Sequence, residues 1–233
     1  NGTRGSSRND HGLQADNLKY NIDLLHAVVE LGCRTFLTSG SQAEYGEWNE
    51  VCKLREDVVP HPNTEYGKNK LAFYEYAEKY CYERGCRLVE PRFFSLYGPY
   101  DFEGTLVMST LKKLMGNEPC DLTKCIQQWD FLYIDDAIEA LRLLIDNSEC
   151  SGIYNFGSGY SAPLREFVEK MVQITQSNSI LNYGAIPYAE TGMVNVNPNV
   201  QKLLGIGWQP KMSFEMGIKE IICLLYTSPS PRD

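Results

Sequence analysis

Two buried strands on either side of a long helix constrain the fold of this chain more than any other feature of its sequence. Apolar side chains mark a strand at residues 34–38 and another at 87–94, and helical periodicity runs between them from about 65 to 84. Parallel strands need a crossover of this length, whereas antiparallel strands are joined by short turns. We therefore predict an α/β protein with a parallel sheet.

The same alternation continues on both sides of this unit. Residues 14–31 carry apolar side chains at helical spacing, and Gly32 is placed as a helix C-cap. Asn63 or Thr64 is predicted to cap the crossover helix. Later elements are predicted as a helix at about 104–115, a strand near 129–133, a helix from 135, a strand at 153–156 and a helix introduced by 161–163.

Two acidic residues open one of these later helices. Asp135 and Asp136 are adjacent at its start. Carboxylates at this position cap a helix or interact favourably with its dipole. We expect this structural role for both residues rather than a catalytic one.

Charge and hydropathy exclude two classes of partner. Thirty acidic and 22 basic residues give a formal net charge of −8, which does not provide the basic surface that a nucleic-acid backbone requires. The longest apolar runs, such as residues 221–225, are far shorter than the roughly 20 residues of a membrane span. We expect neither nucleic acid nor a membrane as a partner.

The eight cysteines are spread along the chain, and no two form a C-x-x-C pair. This usage indicates reduced thiols in a cytoplasmic protein rather than a disulfide framework. The pairs Cys81/Cys86 and Cys120/Cys125 have no matching second pair, and no histidine shares an obvious helix face with them. We expect no metal site.

The two ends of the chain differ from the rest. Residues 1–8 contain no initiator methionine and lead directly into a helical pattern, as the interior of a longer protein would. Apolar periodicity stops before 227–233, where two prolines prevent a helix from continuing. Translated vector sequence and a native flexible end both fit this composition. We expect residues 226–233 to be non-native or disordered.

The chemistry is concentrated in the first hundred residues. Tyr66 and Lys70 lie four residues apart on the predicted crossover helix, so both side chains emerge on one face. An ammonium beside a phenol favours the tyrosinate and lowers its pKa from about 10, which makes Tyr66 a candidate general acid and base. Ser41 follows the first strand, at the sheet edge where ligands bind. Its hydroxyl can bond the substrate oxygen that Tyr66 protonates.

Six segments resemble the extended short-chain dehydrogenase/reductase family in its nucleotide-sugar epimerase/dehydratase branch. They occur in the family's order, at residues 39–46 (SGSQAEYG), 66–70 (YGKNK), 91–99 (PRFFSLYGP), 129–137 (WDFLYIDDA), 154–159 (YNFGSG) and 204–210 (LGIGWQP). The resemblance covers about residues 1–222. It implies a Rossmann-like doubly wound parallel sheet, of which this chain has only the second half, and a smaller α/β C-terminal substrate domain.

The resemblance also implies domain limits. Residues 1–98 would be the C-terminal half of an NAD(P)-binding Rossmann domain. Residues 99–225 would form mainly the nucleotide-sugar domain, with some sheet elements interleaved between the two.

The reaction implied by the resemblance is hydride exchange between NAD or NADP and a ring carbon of a nucleotide sugar. Tyr66 would be the catalytic acid/base, Lys70 would bind the nicotinamide ribose and tune Tyr66, and Ser41 would orient the sugar hydroxyl or ketone. The resemblance further implies a homodimer through the helix that carries Tyr66 and Lys70. It also implies cofactor contacts from Asn17, Ser39 and Phe93, and substrate contacts from Gln42 and Ser95.

Departures from the family pattern narrow these expectations. The fingerprint G-x-x-G-x-x-G, which holds the cofactor pyrophosphate, does not occur before Asn17. We therefore expect an N-terminally truncated copy of an enzyme, itself inactive or nearly so.

Other departures concern the reaction and the substrate. Gln42 and Ala43 stand where dehydratases of this branch usually carry an Asp-Glu pair, and elimination needs a correctly placed proton acceptor. Trp129 stands where an arginine often pairs with the substrate diphosphate, and Ser95 where many epimerases have Asn.

Together the motifs and departures favour an NAD(P)-dependent nucleotide-sugar epimerase or 4-ketoreductase of deoxysugar biosynthesis. The alternatives are a nucleotide-sugar 4,6-dehydratase and a catalytically inactive truncated homologue. The motifs leave the nucleotide, the sugar and the choice between NAD and NADP open.

Overall fold

Nine strands and seven α-helices alternate along residues 8–48, 52–188 and 195–227, which are the residues that the computed structural model describes. In chain order they are α1 (His11–Glu30), β1 (Thr35–Leu37), β2 (Gly40–Ser41), a 3₁₀ turn (Gln42–Glu44), α2 (Glu65–Glu83), β3 (Arg87–Phe93), β4 (Ser95–Tyr97), α3 (Leu106–Met115), β5 (Cys120–Leu122), β6 (Gln128–Tyr133), α4 (Ile134–Asp146), β7 (Gly152–Phe156), β8 (Ser161–Pro163), α5 (Leu164–Thr175), β9 (Leu181–Tyr183), α6 (Gln201–Gly205) and α7 (Phe214–Thr227).

The central strand of the main sheet is β3. Strands β1 and β2 follow one another along one edge of it, paired with residues 87–89 and 92–93. Strand β7 pairs with residues 89–93 along the other edge. All of these pairings are parallel, which confirms the predicted parallel sheet with crossover helices.

Helices cover both faces of this sheet. On one face α1 packs against α2 over a core that includes Leu25, Phe73 and Leu88. On the other face α4 and α6 pack through a core that includes Leu144 and Leu203. As predicted, Thr64 caps α2, because its hydroxyl accepts a hydrogen bond from the Gly67 amide at 3.0 Å. The sheet is therefore shielded from solvent on both sides, as parallel sheets generally are.

A second group of strands supports the later half of the chain. Strand β6 pairs in parallel with β4 and antiparallel with β8, and β5 pairs in parallel with β9. Helices α3, α5 and α7 pack beside them around a large apolar core. Residues 161–163 form strand β8, and α5, which the sequence predicts to follow these residues, begins at Leu164 with Pro163 as its N-cap.

The chain passes more than once between the two sheets. Strand β4 lies in the second sheet although it directly follows β3, and β7 returns to the first sheet after β6. Elements on either side of residue 98 are therefore interleaved. The predicted domain limits of 1–98 and 99–225 stay a prediction.

Three further sequence expectations concern the C-terminal tail, membrane spans and metal sites. Residues 226 and 227 form the last turn of α7, and the rest of the predicted tail, 228–233, lies outside the described residues. Within the described part of the chain, no helix is long and apolar enough to span a bilayer. The same residues contain no group of three or more His, Cys, Asp or Glu side chains suited to a metal ion.

Asp136 has a different role from the one that its sequence position suggests. Residue Tyr133 is the N-cap of α4, and no side chain caps this helix. The buried carboxylate of Asp136 instead accepts hydrogen bonds from the backbone amides of Lys211 and Met212, at 3.0 and 2.9 Å. Asp136 therefore joins the start of α4 to the segment that leads into α7. Sequence spacing does not reveal a partner 75 residues away.

We expect Asp136→Ala to lower the free energy of unfolding by about 1 to 3 kcal/mol, because it leaves two partly buried amides without their acceptor. The exposed Asp135 is adjacent in the same turn, and Asp135→Ala is the matched control. Urea unfolding followed by circular dichroism measures both. Equal effects of the two substitutions would contradict this role of Asp136.

Candidate active site

Tyr66 and Lys70 lie one turn apart near the start of α2, and the structure brings their side chains together. The Lys70 Nζ lies 5.9 Å from the centroid of the Tyr66 ring. It donates hydrogen bonds to the Ser39 carbonyl at 2.7 Å and to the Ser39 hydroxyl at 3.3 Å. Lys70 therefore connects the face of α2 that carries Tyr66 to the loop that leads into β2 and Ser41.

The electrostatic environment of Lys70 combines opposing effects. Partial burial lowers the pKa of its ammonium below the ordinary value, while the carboxyl groups of Glu44 and Glu90 act in the other direction. An ammonium has three donors, and Ser39 accepts from two of them. One donor remains for a ligand hydroxyl.

Ser41 ends β2 and begins the 3₁₀ turn that follows. Its backbone amide donates to Glu44 Oε1 at 2.7 Å, and its hydroxyl oxygen accepts from the Ala43 amide at 3.2 Å. These two hydrogen bonds form a capping box, which satisfies amides that the turn itself leaves unpaired. Among the described residues the Ser41 hydroxyl only accepts, so its proton can donate to a ligand.

A glycine on α2 allows the Ser41 turn to approach the helix closely. A Cβ atom at Gly67 would lie 2.2 Å from the carbonyl oxygen of Ala43, a separation that real side chains do not tolerate. Only glycine lets the two backbones meet here. Gly67 directly follows Tyr66, so this contact fixes the distance between the Tyr66 turn of α2 and the turn that carries Ser41.

A cavity of about 420 Å³ opens beside these elements. Its lining includes Ser41 and Gln42 together with the aromatic side chains of Trp48 and Phe94. Arg8 also lines the cavity, and its guanidinium carbon lies 4.5 Å from the centroid of the Tyr66 ring. Ser41 thus faces the cavity directly, whereas Tyr66 adjoins it through Arg8.

Gln42 contributes a polar atom to this region. Its Oε1 is buried, and no hydrogen-bond donor among the described residues reaches it. Buried polar atoms in proteins normally have a partner. The Gln42 amide oxygen is thus an acceptor suited to a ligand hydroxyl.

Three other predicted site residues lie on neighbouring elements. Phe93, at the end of β3, packs edge-on against Phe156 with a centroid separation of 5.0 Å. Asn17 is half-buried on α1, and Ser95 pairs with Phe131 at the start of β4. Their cofactor and substrate contacts, like the roles of Ser39, Ser41, Gln42, Tyr66 and Lys70, stay predictions.

A buried charged cluster lies beneath Ser41, and sequence reasoning did not assign it a role. Arg92 on β3 pairs with Glu44 at 2.8 Å and with Glu90 at 2.9 Å. The three residues are at most 1% exposed. Burial raises the pKa of both carboxyl groups, and for Glu90 the neighbouring Glu44 raises it further. The signal in the sequence is a Glu-x-Arg pair on one face of an otherwise apolar strand.

Comparison with known proteins identifies the family of the chain. The model of the NAD dependent epimerase/dehydratase family matches residues 2–157. The CDP-abequose synthase of Salmonella muenchen is 30% identical over 162 residues, which are 68% of this chain and 55% of that protein. The chain spans 55 to 58% of the length of the first curated relatives that it matches.

Solved structures share the fold. RMD from Pseudomonas aeruginosa, determined in complex with NADPH, has a TM-score of 0.78 and 24% identity, covering 87% of this chain and 70% of that one. UDP-glucose 4-epimerase from Thermotoga maritima, determined with UDP-glucose, has a TM-score of 0.81 and 23% identity, covering 91% and 71%. These likenesses confirm the Rossmann-like α/β fold class. With a family model matched over most of its length, the chain belongs to the NAD dependent epimerase/dehydratase family.

Proposed function

We propose that this chain carries the catalytic and sugar-binding part of an NAD(P)-dependent nucleotide-sugar epimerase or 4-ketoreductase. One observation supports this most strongly: Lys70 joins the Tyr66 face of α2 to the loop that precedes Ser41. The serine hydroxyl lines a cavity large enough for a sugar, and Arg8, which lines the same cavity, contacts the Tyr66 ring that lies beside the Lys70 ammonium. This is the set of groups that proton transfer at a carbinol or ketone oxygen requires.

Each side chain has a separate role in the proposed reaction. Tyr66 holds or gives the proton of the reacting sugar oxygen, and Ser41 donates a hydrogen bond that orients this oxygen. Lys70 places a positive charge beside the Tyr66 ring, and its hydrogen bonds to Ser39 keep the ammonium there. Gln42 accepts a hydrogen bond from a second sugar hydroxyl. The walls formed by Trp48 and Phe94 exclude water from the sugar.

The residues present also fit a nicotinamide cofactor. The third donor of Lys70 is available for a ribose hydroxyl, next to Ser39 at the carboxyl edge of the sheet. Asn17 and Phe93 would complete the contacts from α1 and β3. When bound, NAD or NADP would accept the hydride from the sugar ring carbon or return it.

Dehydration is less well supported than epimerisation or ketoreduction. Gln42 and Ala43 are neutral, and the nearest acid in the sequence is Glu44. Glu44 is fully buried and is occupied by Arg92 and by the Ser41 amide. It therefore cannot serve as the displaced acid or base of an elimination. The proposal accords with the similarity to a CDP-abequose synthase and with the fold shared with a UDP-glucose 4-epimerase.

The chain by itself is proposed to bind the sugar nucleotide better than the dinucleotide. Its sequence contains no G-x-x-G-x-x-G ahead of Asn17, and backbone amides of such a loop normally hold the pyrophosphate. We propose that the 233-residue chain alone is inactive or nearly so for this reason.

A homodimer through the α1–α2 face is part of the proposal. On α1, Leu13, Tyr20 and Leu24 are about half exposed and recur at spacings of seven and four, so they form one apolar stripe. On α2, Tyr76 is exposed, and its hydroxyl forms a hydrogen bond with His26 Nε2 at 2.6 Å. A second copy of the same face would cover the stripe.

Calorimetric titration with UDP-, dTDP-, GDP- and CDP-sugars tests the proposed site. We expect one class of nucleotide sugar to bind with a stoichiometry of one per chain. Ser41→Ala and Tyr66→Phe should each weaken binding about three- to tenfold, because each removes one hydrogen bond to the sugar.

Tyr82→Phe is the matched control, since Tyr82 is 87% exposed on the same helix. The absence of binding by every nucleotide sugar, in a sample that circular dichroism shows to be folded, would contradict the proposed function.

Light scattering tests the homodimer. We expect twice the chain mass at micromolar concentration, and Leu24→Glu should give a monomer because a charge would be buried in the interface. Val59→Glu, at an equally exposed apolar loop residue, should leave the dimer intact. A monomeric wild-type chain at these concentrations would refute the interface.

A further inference from the structure

The cluster of Glu44, Glu90 and Arg92 is unbalanced in charge if all three groups are ionised. Two carboxylates and one guanidinium would leave one net negative charge at a place that is at most 1% exposed. An unpaired buried charge is costly, and proteins commonly remove it by binding a proton. The cluster is therefore expected to hold one proton between its two carboxyl groups.

Their partners indicate which carboxyl group holds the proton. Glu44 accepts a hydrogen bond from the Ser41 amide and pairs with the Arg92 guanidinium, and both contacts favour its ionised form. Glu90 accepts only from Arg92 Nε, at 2.9 Å, among the described residues. Burial and the nearby Glu44 raise the pKa of Glu90 above its ordinary value. Glu90 is thus the protonated member.

The backbone that carries Ser41 lies directly on this cluster. A Cβ atom at Gly40 would lie 2.7 Å from the Glu90 Cγ and 2.9 Å from the Arg92 Cγ. The Ser41 amide is fixed to Glu44 at 2.7 Å. The guanidinium of Arg92 also lies over the Tyr45 ring, 4.6 Å from its centroid. The turn of residues 40–45 is therefore held to β3 by the cluster.

We propose that Glu44 is a positioning residue of the active site. Arg92 and protonated Glu90 hold the Glu44 side chain, and Glu44 in this position fixes the turn that carries Ser41. The part of this inference that concerns catalysis rests on the proposed function, because it assigns Ser41 a ligand contact. The part that concerns the proton and the Ser41 backbone stands on the buried contacts alone.

Groups on three elements face the Glu90 carboxyl group. Glu44 lies on the 3₁₀ turn, Arg92 on β3, and Lys70 and Tyr74 on α2. Lys70 is a cation and favours ionisation of Glu90, whereas Glu44 opposes it. Burial and the neighbouring Glu44 outweigh the cations, so the pKa of Glu90 is raised.

Amide hydrogen exchange of the wild-type chain and its Glu44 variants tests the positioning role. The Ser41 amide should be protected in the wild type, and Glu44→Ala should speed its exchange at least tenfold while the core amide of Val89 is unchanged. In Glu44→Gln the exchange rate of the Ser41 amide should stay within about threefold of the wild-type rate, because the Gln oxygen also accepts from this amide. Glu90 would then ionise and balance the charge of Arg92. A Ser41 amide that exchanges freely in the wild type would refute the role even if Glu44→Ala does not fold.

Nucleotide-sugar titration of the same variants tests the link to the ligand. We expect Glu44→Ala to lower affinity at least tenfold and Glu44→Gln to retain affinity within about threefold. Equal affinity of Glu44→Ala and the wild type would overturn the catalytic part of the inference. If no variant and no wild-type chain binds any nucleotide sugar, the proposed function fails, and the exchange results still decide the role of Glu44.

Unfolding as a function of pH tests the proton on Glu90. Folded Glu90 keeps a proton that the unfolded chain releases above the ordinary glutamate pKa of 4.5. As pH rises above that value, the wild type should therefore become less stable relative to Glu90→Gln. The unfolding equilibrium constant of the wild type should rise by up to tenfold per pH unit compared with that of the variant. The exposed Glu75 on α2 supplies the control Glu75→Gln, which should stay parallel to the wild type. A Glu90→Gln profile parallel to the wild type would show that Glu90 is ionised and would overturn this part.

Discussion

The buried ion pair of Arg92 with Glu44 connects the central strand of the sheet to the turn that carries Ser41. Arg92 lies on β3, the only strand of the described residues that pairs with β1, β2 and β7. Arg92 binds Glu44, and Glu44 holds the turn that carries Ser41. This turn contacts α2 at Gly67. Buried ion pairs contribute little net stability compared with apolar side chains of similar size. Their value here is that they fix one arrangement of loop, strand and helix.

This arrangement supports the proposed cooperation of a short loop and a long helix in proton transfer. Tyr66 and Lys70 are held by α2, while Ser39 and Ser41 are held by the carboxyl edge of the sheet. The Lys70–Ser39 hydrogen bond and the Gly67–Ala43 contact join these two rigid elements at two separate points. A site assembled in this way changes little when a ligand enters, so binding energy is available for orienting the substrate.

The sequence predicted the parts of this fold that depend on local patterns. Periodicity gave the parallel sheet and α2, and Thr64 was among the predicted caps. The start of α1 was placed three residues late, because Asp10 caps the helix before its apolar face begins. The role of Asp136 could not be predicted, since its partners come from a distant segment. The candidate residues Tyr66, Lys70 and Ser41 could be chosen from spacing and resemblance, but the buried cluster beneath them depends on tertiary contacts.

A crystal structure of this chain with a bound nucleotide sugar tests the central claim most directly. The expected result is a sugar in the cavity beside Ser41 and Gln42, with one ring oxygen substituent within hydrogen-bond distance of both the Ser41 and Tyr66 hydroxyl groups. Glu44 should remain buried against Arg92 in that complex. A sugar bound elsewhere, or bound in this cavity with Tyr66 turned away from every sugar oxygen, would contradict the assignment of Tyr66 as the acid and base.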